Sequence, residues 1–201
     1  MSETSSSSPR IVCLGWGSLI WKPGELPVKG GWQPGGPPLP LEFCRVSTTG
    51  ELAIVLCPGA PDAATYWAAL DVPDLGTARE LLRRREKIPP EWAGLVGSVE
   101  ARGQDGDGGA SLGPLHARIA EWARAQGVKG VVWTALGPKS PGGADATPTV
   151  EQALGYLRSL HGDDAECAES YLRQVPADIR TPYRQVIEEQ LGWTPQPAGE
   201  A

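Results

Sequence analysis

Two short stretches of this chain hold residue types whose spacing suits chemistry. At about 100° per residue, Leu75, Ala78 and Leu82 fall in one narrow sector of a helix over residues 75–86, with Arg84 opposite. Glu86 follows Leu75 by eleven positions and returns to within about 20° of it. A carboxylate on the apolar face of a helix costs free energy unless it has a partner or a use. Partly shielded from water, it can take a proton from one atom and hand it to another, the work of a general acid/base. The structural alternative is an ion pair with a neighbouring arginine at the helix end.

The second stretch is Gly15-Trp16-Gly17-Ser18-Leu19, directly after the apolar run that ends at Leu14. Two glycines permit positive φ and close approach of the main chain. Successive amides can then converge on an anion or on a developing oxyanion. A plain structural turn is the competing reading. Ile20 occupies the third glycine's place of a dinucleotide fingerprint, and the G-K-[ST] of a phosphate loop is missing. Ser18 is not set in a G-x-S-x-G elbow, and the two histidines, His116 and His161, leave little choice of base.

Other polar residues carry weaker signals. Glu42 and Arg45 alternate with apolar neighbours in LEFCRV; a solvent-facing strand edge is expected, with Arg45 a candidate for a substrate carboxylate. Arg83, Arg84 and Arg85 read as a solvated face. Of the eight tryptophans, Trp16 and Trp21 are candidates to line a pocket; the rest suit core and loop anchors. The cysteines Cys13, Cys44, Cys57 and Cys167 are widely spaced without C-x-x-C, so free, mostly buried thiols are expected and no metal site.

The elements that must position these residues follow from the pattern. Residues 10–14 suit a central strand, residues 41–46 and 52–56 a hairpin, and residues 65–72 a third strand of that group. Helix 75–86 is followed by a strand at 95–101, a loop at 103–109, a helix at 114–125 and a strand at 129–136. Leu115, Ile119 and Trp122 are expected to face inward on the second helix. Helical patterns at 150–160, 163–175 and 181–191 close the chain, the last with Thr181 as N-cap, Pro182 in its first turn and Gly192 as its stop. The Gly/Pro-rich stretches 29–40 and 137–148 read as loops at the rim of a site. The expectation is one α+β domain over residues 10–193, between a disordered tail (1–9) and a frayed C-terminus (194–201).

Composition limits the partners. Hydrophobic residues at 40% and charged residues at 21% suit a buried core, while 26 glycines and 20 prolines predict many loops. A net charge of −6 repels phosphate backbones and anionic lipid, so neither nucleic acid nor membrane is expected as a partner. No apolar run approaches the ~20 residues of a membrane span, and the first residues lack the apolar core of a secretory signal. The expected compartment is the reducing cytoplasm.

The run LGWGSLIWK, residues 14–22, resembles the G-Y-G-S-L-I-W signature that opens the γ-glutamylcyclotransferase-like fold, nearest its ChaC-like, glutathione-specific branch. The stretch LPLEFCRVSTTGELAIVL is similar to the hairpin that follows the signature in bacterial members. Arg85-Glu86 matches the R-E pair in which these enzymes carry their catalytic glutamate. KGVVWTAL and YLRQVPADIRTPYRQVIEEQLGW also look like segments of bacterial relatives, so the resemblance covers most of residues 10–193. Trp16 departs from the family's tyrosine: an aromatic wall is kept and a phenolic hydroxyl lost.

The resemblance implies a small mixed β-barrel with surrounding helices, here with a helical C-terminal extension. It implies cyclisation of a γ-glutamyl amide or peptide, such as glutathione, to 5-oxoproline, expelling an amine or amino acid. Glu86 would be the acid/base, and Leu14, Gly15, Trp16, Gly17, Ser18 and Leu19 would hold the small-molecule γ-glutamyl substrate. The substrate's own α-amino group attacks its γ-carbonyl, so no cofactor is implied. The alternative is a catalytically silent member of the same fold that binds a small ligand or serves as a scaffold.

Overall fold

The structure is a computed structural model and describes residues 10–101 and 113–196. The expected tail, the loop at 103–109 and residues 197–201 lie outside the described residues. The strands are β1 (Ile11–Gly15), β2 (Val28–Pro34), β3 (Leu39–Val46), β4 (Leu52–Leu56), β5 (Asp62–Ala63), β6 (Tyr66–Leu70), β7 (Val96–Glu100) and β8 (Gly130–Thr134). The helices are α1 (Leu75–Arg85), α2 (Pro114–Ala125), α3 (Val150–Ser159), α4 (Asp163–Gln174) and α5 (Pro182–Leu191), with a 3-10 turn at Pro90–Leu95. This is the expected α+β composition. The chain forms two compact units, each from separated stretches: described residues of 10–14, 24–37 and 67–134 in the first, and of 15–23, 38–66 and 135–196 in the second.

The first unit is built on a five-stranded sheet of order β2-β6-β1-β8-β7. β1 and β8 run parallel, with Cys13 beside Val132, and β7 pairs antiparallel with β8. Both central strands are buried along their length and, apart from Thr134 at the end of β8, carry no polar side chain, as suits strands covered on both faces. α1 lies against β7 and β8. Its Leu75 Cδ1 comes within 3.0 Å of where a Cβ on Gly130 would stand, so the face of β8 carrying Gly130 is the α1 face. The opposite face carries Trp133, wholly buried, whose ring lies so close to Gly97, its cross-strand partner, that no Cβ could be added there. His116 of α2 packs edge-on against that indole at 5.9 Å. On α2 the inward residues are Ile119, Ala120 and Ala123; Leu115 and Trp122 are only half-buried.

The second unit holds a three-stranded sheet, β4-β3-β5, with α5 against β3 and α4 against β4. The expected hairpin is present as the antiparallel β3–β4 pair, with a bulge between Phe43 and Arg45. α5 starts as its sequence dictates: the Thr181 side chain accepts from the Arg184 amide, Pro182 occupies the first turn, and Gly192 stops the helix at φ 73°. α3 carries a reciprocal capping box between Thr149 and Gln152.

Four expectations are corrected. Among the described residues the strands form two sheets with free edges rather than a closed barrel. Strand β6 joins β1 in the first unit's sheet, and the third strand beside the hairpin is the short β5. The segment expected as a loop at 29–40 contains edge strand β2, whose VKGGWQP sequence is mostly exposed and shows no alternation to read. Residues 194–196 are not frayed: Arg173 of α4 donates to the Thr194 carbonyl, and the Gln196 amide donates back to the Arg173 carbonyl. Among the described residues no helix is long and apolar enough to cross a membrane.

Candidate functional site

Glu86 is the C-cap of α1, still in the right-handed helical region at φ −79°, ψ −1°. The chain then reverses through Lys87 at φ 54°, an uncommon conformation for a residue with a side chain. The Lys87 amide donates to the Arg84 carbonyl and the Ile88 amide to the Arg83 carbonyl, both at 3.0 Å, while the Ile88 side chain is buried. These are the two bonds of a Schellman closure, with lysine where glycine is usual. The closure fixes the backbone at Glu86.

The Glu86 carboxylate is covered, its side chain only 15% exposed, and Arg85 Nη1 donates to its Oε1 at 2.7 Å. The helical pattern therefore put the carboxylate on a covered face, and the neighbouring arginine balances its charge there. Arg85 is itself 13% exposed, its stem running past Gly24. Arg83 is also largely covered, held by Glu80 and by the Ile88 carbonyl. Of the three arginines only Arg84 is exposed, so the expected solvated face is reduced to one residue. On β1, the Cys13 thiol is pushed up, chiefly by burial and further by the negative charge of Glu86, with Arg85 opposing. The charges of the Arg85–Glu86 pair thus act on the thiol of β1.

Leu14, wholly buried on β1, belongs to the first unit with Glu86; residues 15–19 belong to the second. Gly15 ends the strand. Neither Gly15 nor Gly17 has a positive φ, so these glycines are not used to turn the main chain as expected. Gly17 is needed for space: a Cβ there would lie 2.7 Å from the hydroxyl oxygen of Tyr171 on α4 and 3.3 Å from Ile54 Cγ2. The Ile54 amide donates to that hydroxyl at 3.4 Å, and Trp21 packs edge-on against the Tyr171 ring at 5.5 Å. The loop closes when the Ile20 amide donates to the Gly17 carbonyl and the Lys22 amide to the Ser18 carbonyl. Trp16 and Leu19 are buried and anchor it.

Four residues that sequence reasoning missed or misplaced carry polar groups in buried or half-buried positions. Glu42, expected at a solvent-facing edge, is 2% exposed. It accepts from its neighbour's amide at Phe43, from the Thr181 hydroxyl and from the Tyr183 amide, so it holds the N-terminus of α5. Burial pushes its carboxyl up, against the pull of those three bonds. Arg45 donates to the Gly137 carbonyl at 2.8 Å, a structural tie. Tyr171 gave no sequence signal, because its role comes from a loop far away in the chain. Thr134, the last residue of β8, is buried, and its hydroxyl has no hydrogen-bond partner among the described residues.

All four cysteines are free thiols, with Cys167 alone exposed. Cys44 and Cys57 pack together with Val55 in a small core cluster. A comparison of the chain with family models, curated proteins and solved structures finds no match in any of the three.

Proposed function

We propose that the chain is a γ-glutamylcyclotransferase-like enzyme that closes a γ-glutamyl amide to 5-oxoproline and releases the amine or amino acid. The reading starts from the LGWGSLIWK run and from the Arg85-Glu86 pair. One structural observation carries it furthest. Glu86, the residue the reading needs as its acid/base, is a covered carboxylate held at the C-terminal end of α1.

In this reading Glu86 takes a proton from the substrate's α-ammonium. The freed amine attacks the γ-carbonyl carbon and its nitrogen gives up a second proton as the ring closes; the C–N bond to the leaving group breaks, and the departing nitrogen takes the two protons in turn through Glu86 to leave as an ammonium. Amides of residues 17–19 donate to the substrate's oxygens, including the oxyanion of the tetrahedral intermediate. Attack and departure occur within one substrate molecule, so the residues named balance every proton. A reducing interior in which free thiols persist belongs to this proposal.

The test is incubation of the purified chain with glutathione and a panel of γ-glutamyl amides, with 5-oxoproline release as the readout and Glu86→Gln as control. The reading expects release by the wild type and its loss in the variant. Two observations favour the second reading, a silent ligand-binding member: Arg85 already occupies the Glu86 carboxylate, and Trp16 replaces the family's tyrosine. Binding of a γ-glutamyl compound without any 5-oxoproline would select it.

A further inference from the structure

Thr134 stands on the face of β8 that α1 covers. Gly130 faces α1 at Leu75, and a strand's side chains alternate, so Val132 and Thr134 point to that same face. Cys13, the parallel partner of Val132, shares the face, and the charges of Glu86 and Arg85 act on its thiol. Lengths agree as well. Leu75 to Glu86 advances about 16 Å along a helix, at 1.5 Å per residue. Gly130 to Thr134 advances about 13 Å along a strand, at 3.3 Å per residue. A helix that starts with Leu75 over Gly130 and runs alongside β8 brings its end level with Thr134. The spot is also the C-terminal end of two adjacent parallel strands, the edge of a sheet where ligands of α/β folds collect.

At this place Thr134 is 9% exposed and its Oγ1 meets no hydrogen-bond partner among the described residues. Valine has the same shape and would avoid the cost of an unpaired buried hydroxyl. A hydroxyl kept under those conditions, on the face covered by the helix that Glu86 caps, points to a ligand that supplies the missing partner.

We infer that Thr134 is a substrate-binding residue, its hydroxyl donating to an oxygen of the γ-glutamyl group presented to Glu86. The inference rests on the proposed ring closure and assigns one of its contacts.

Thr134→Val and Thr134→Ser test it, with 5-oxoproline release and the thermal shift given by γ-glutamyl amides as two separate readouts. Thr134→Val is expected to lose about tenfold or more in kcat/KM, the worth of one good hydrogen bond to a polar oxygen. Its ligand-free Tm should be equal to or above wild type, because the unpaired hydroxyl is gone. Thr134→Ser, which keeps the hydroxyl, should stay within about threefold of wild type by the same reasoning. If valine fails to fold, Thr134→Ala takes its place with the same expected loss.

Wild-type kcat/KM in Thr134→Val overturns the inference and leaves the ring closure standing. If the wild type releases no 5-oxoproline but is stabilised by a γ-glutamyl amide, and Thr134→Val is not, the ring closure falls and the contact stands. Equal thermal shifts in the two proteins, or none in either together with no turnover, overturn the contact.

Discussion

The hydroxyl oxygen of Tyr171 lies 2.7 Å from the point where residue 17 would carry a Cβ. Glycine at 17 is therefore a packing requirement set by helix α4. Gly17→Ala should destabilise the protein by about 1–3 kcal/mol, the usual cost of forcing a methyl into a filled site. Chemical denaturation measures it. Tyr171→Phe removes the crowding oxygen, so the double variant should lose less than the sum of the singles, with a coupling of about 0.5–2 kcal/mol. Strict additivity would mean the loop yields by moving away from α4.

Glu86→Gln keeps the shape of the side chain and an acceptor for Arg85. The fold should persist, with a Tm close to wild type, while turnover drops by about 10²-fold or more, the usual worth of a general acid/base. Rates of 5-oxoproline release across the γ-glutamyl panel decide it. Undiminished turnover would remove Glu86 from the reaction and leave it as the partner of Arg85.

Glu42 ties β3 to the first turn of α5. Glu42→Ala would strand the Thr181 hydroxyl and the Tyr183 amide, at a cost of about 2–4 kcal/mol. The pH dependence has a definite sign. Burial raises the native carboxyl above its ordinary 4.5, so between that value and the raised one the folded state binds more protons than the unfolded state. The contribution of Glu42 to stability is full below 4.5 and falls as pH rises through the raised value. The stability difference between wild type and Glu42→Gln, measured by denaturation across this window, should shift against the wild type as pH increases.

Lys87 holds the left-handed position of the closure after α1. Lys87→Gly relieves a backbone penalty of about 1 kcal/mol and should raise Tm by a few degrees. A drop in Tm would show that the lysine side chain contributes more than the backbone strain costs.

Local patterns made much of this legible. The apolar run before Gly15, the hairpin around residue 50, and the caps at Thr181 and Gly192 are written in neighbouring residues, and the structure has them. The period of α1 put Glu86 on a covered face because helix geometry is set within a few turns. Edge strand β2 escaped because its glycines and exposed side chains leave no pattern. Glu42 was misplaced because alternation tells two faces apart without saying whether both are covered. On β3, Leu41 and Phe43 are buried on one face and Glu42 and Cys44 on the other. Tyr171 and Thr134 depend on which distant elements lie beside them, and no window of sequence holds that.

The backbone passes repeatedly between the two units, and each is stitched from three non-adjacent stretches. Removing either end of the polypeptide strips pieces from one unit or both: cutting after β8 takes all the helices of the second, and starting after β1 takes a central strand of the first. Dissection of this molecule must therefore proceed by point substitution, because a cut near either end removes elements from which one unit or the other is built.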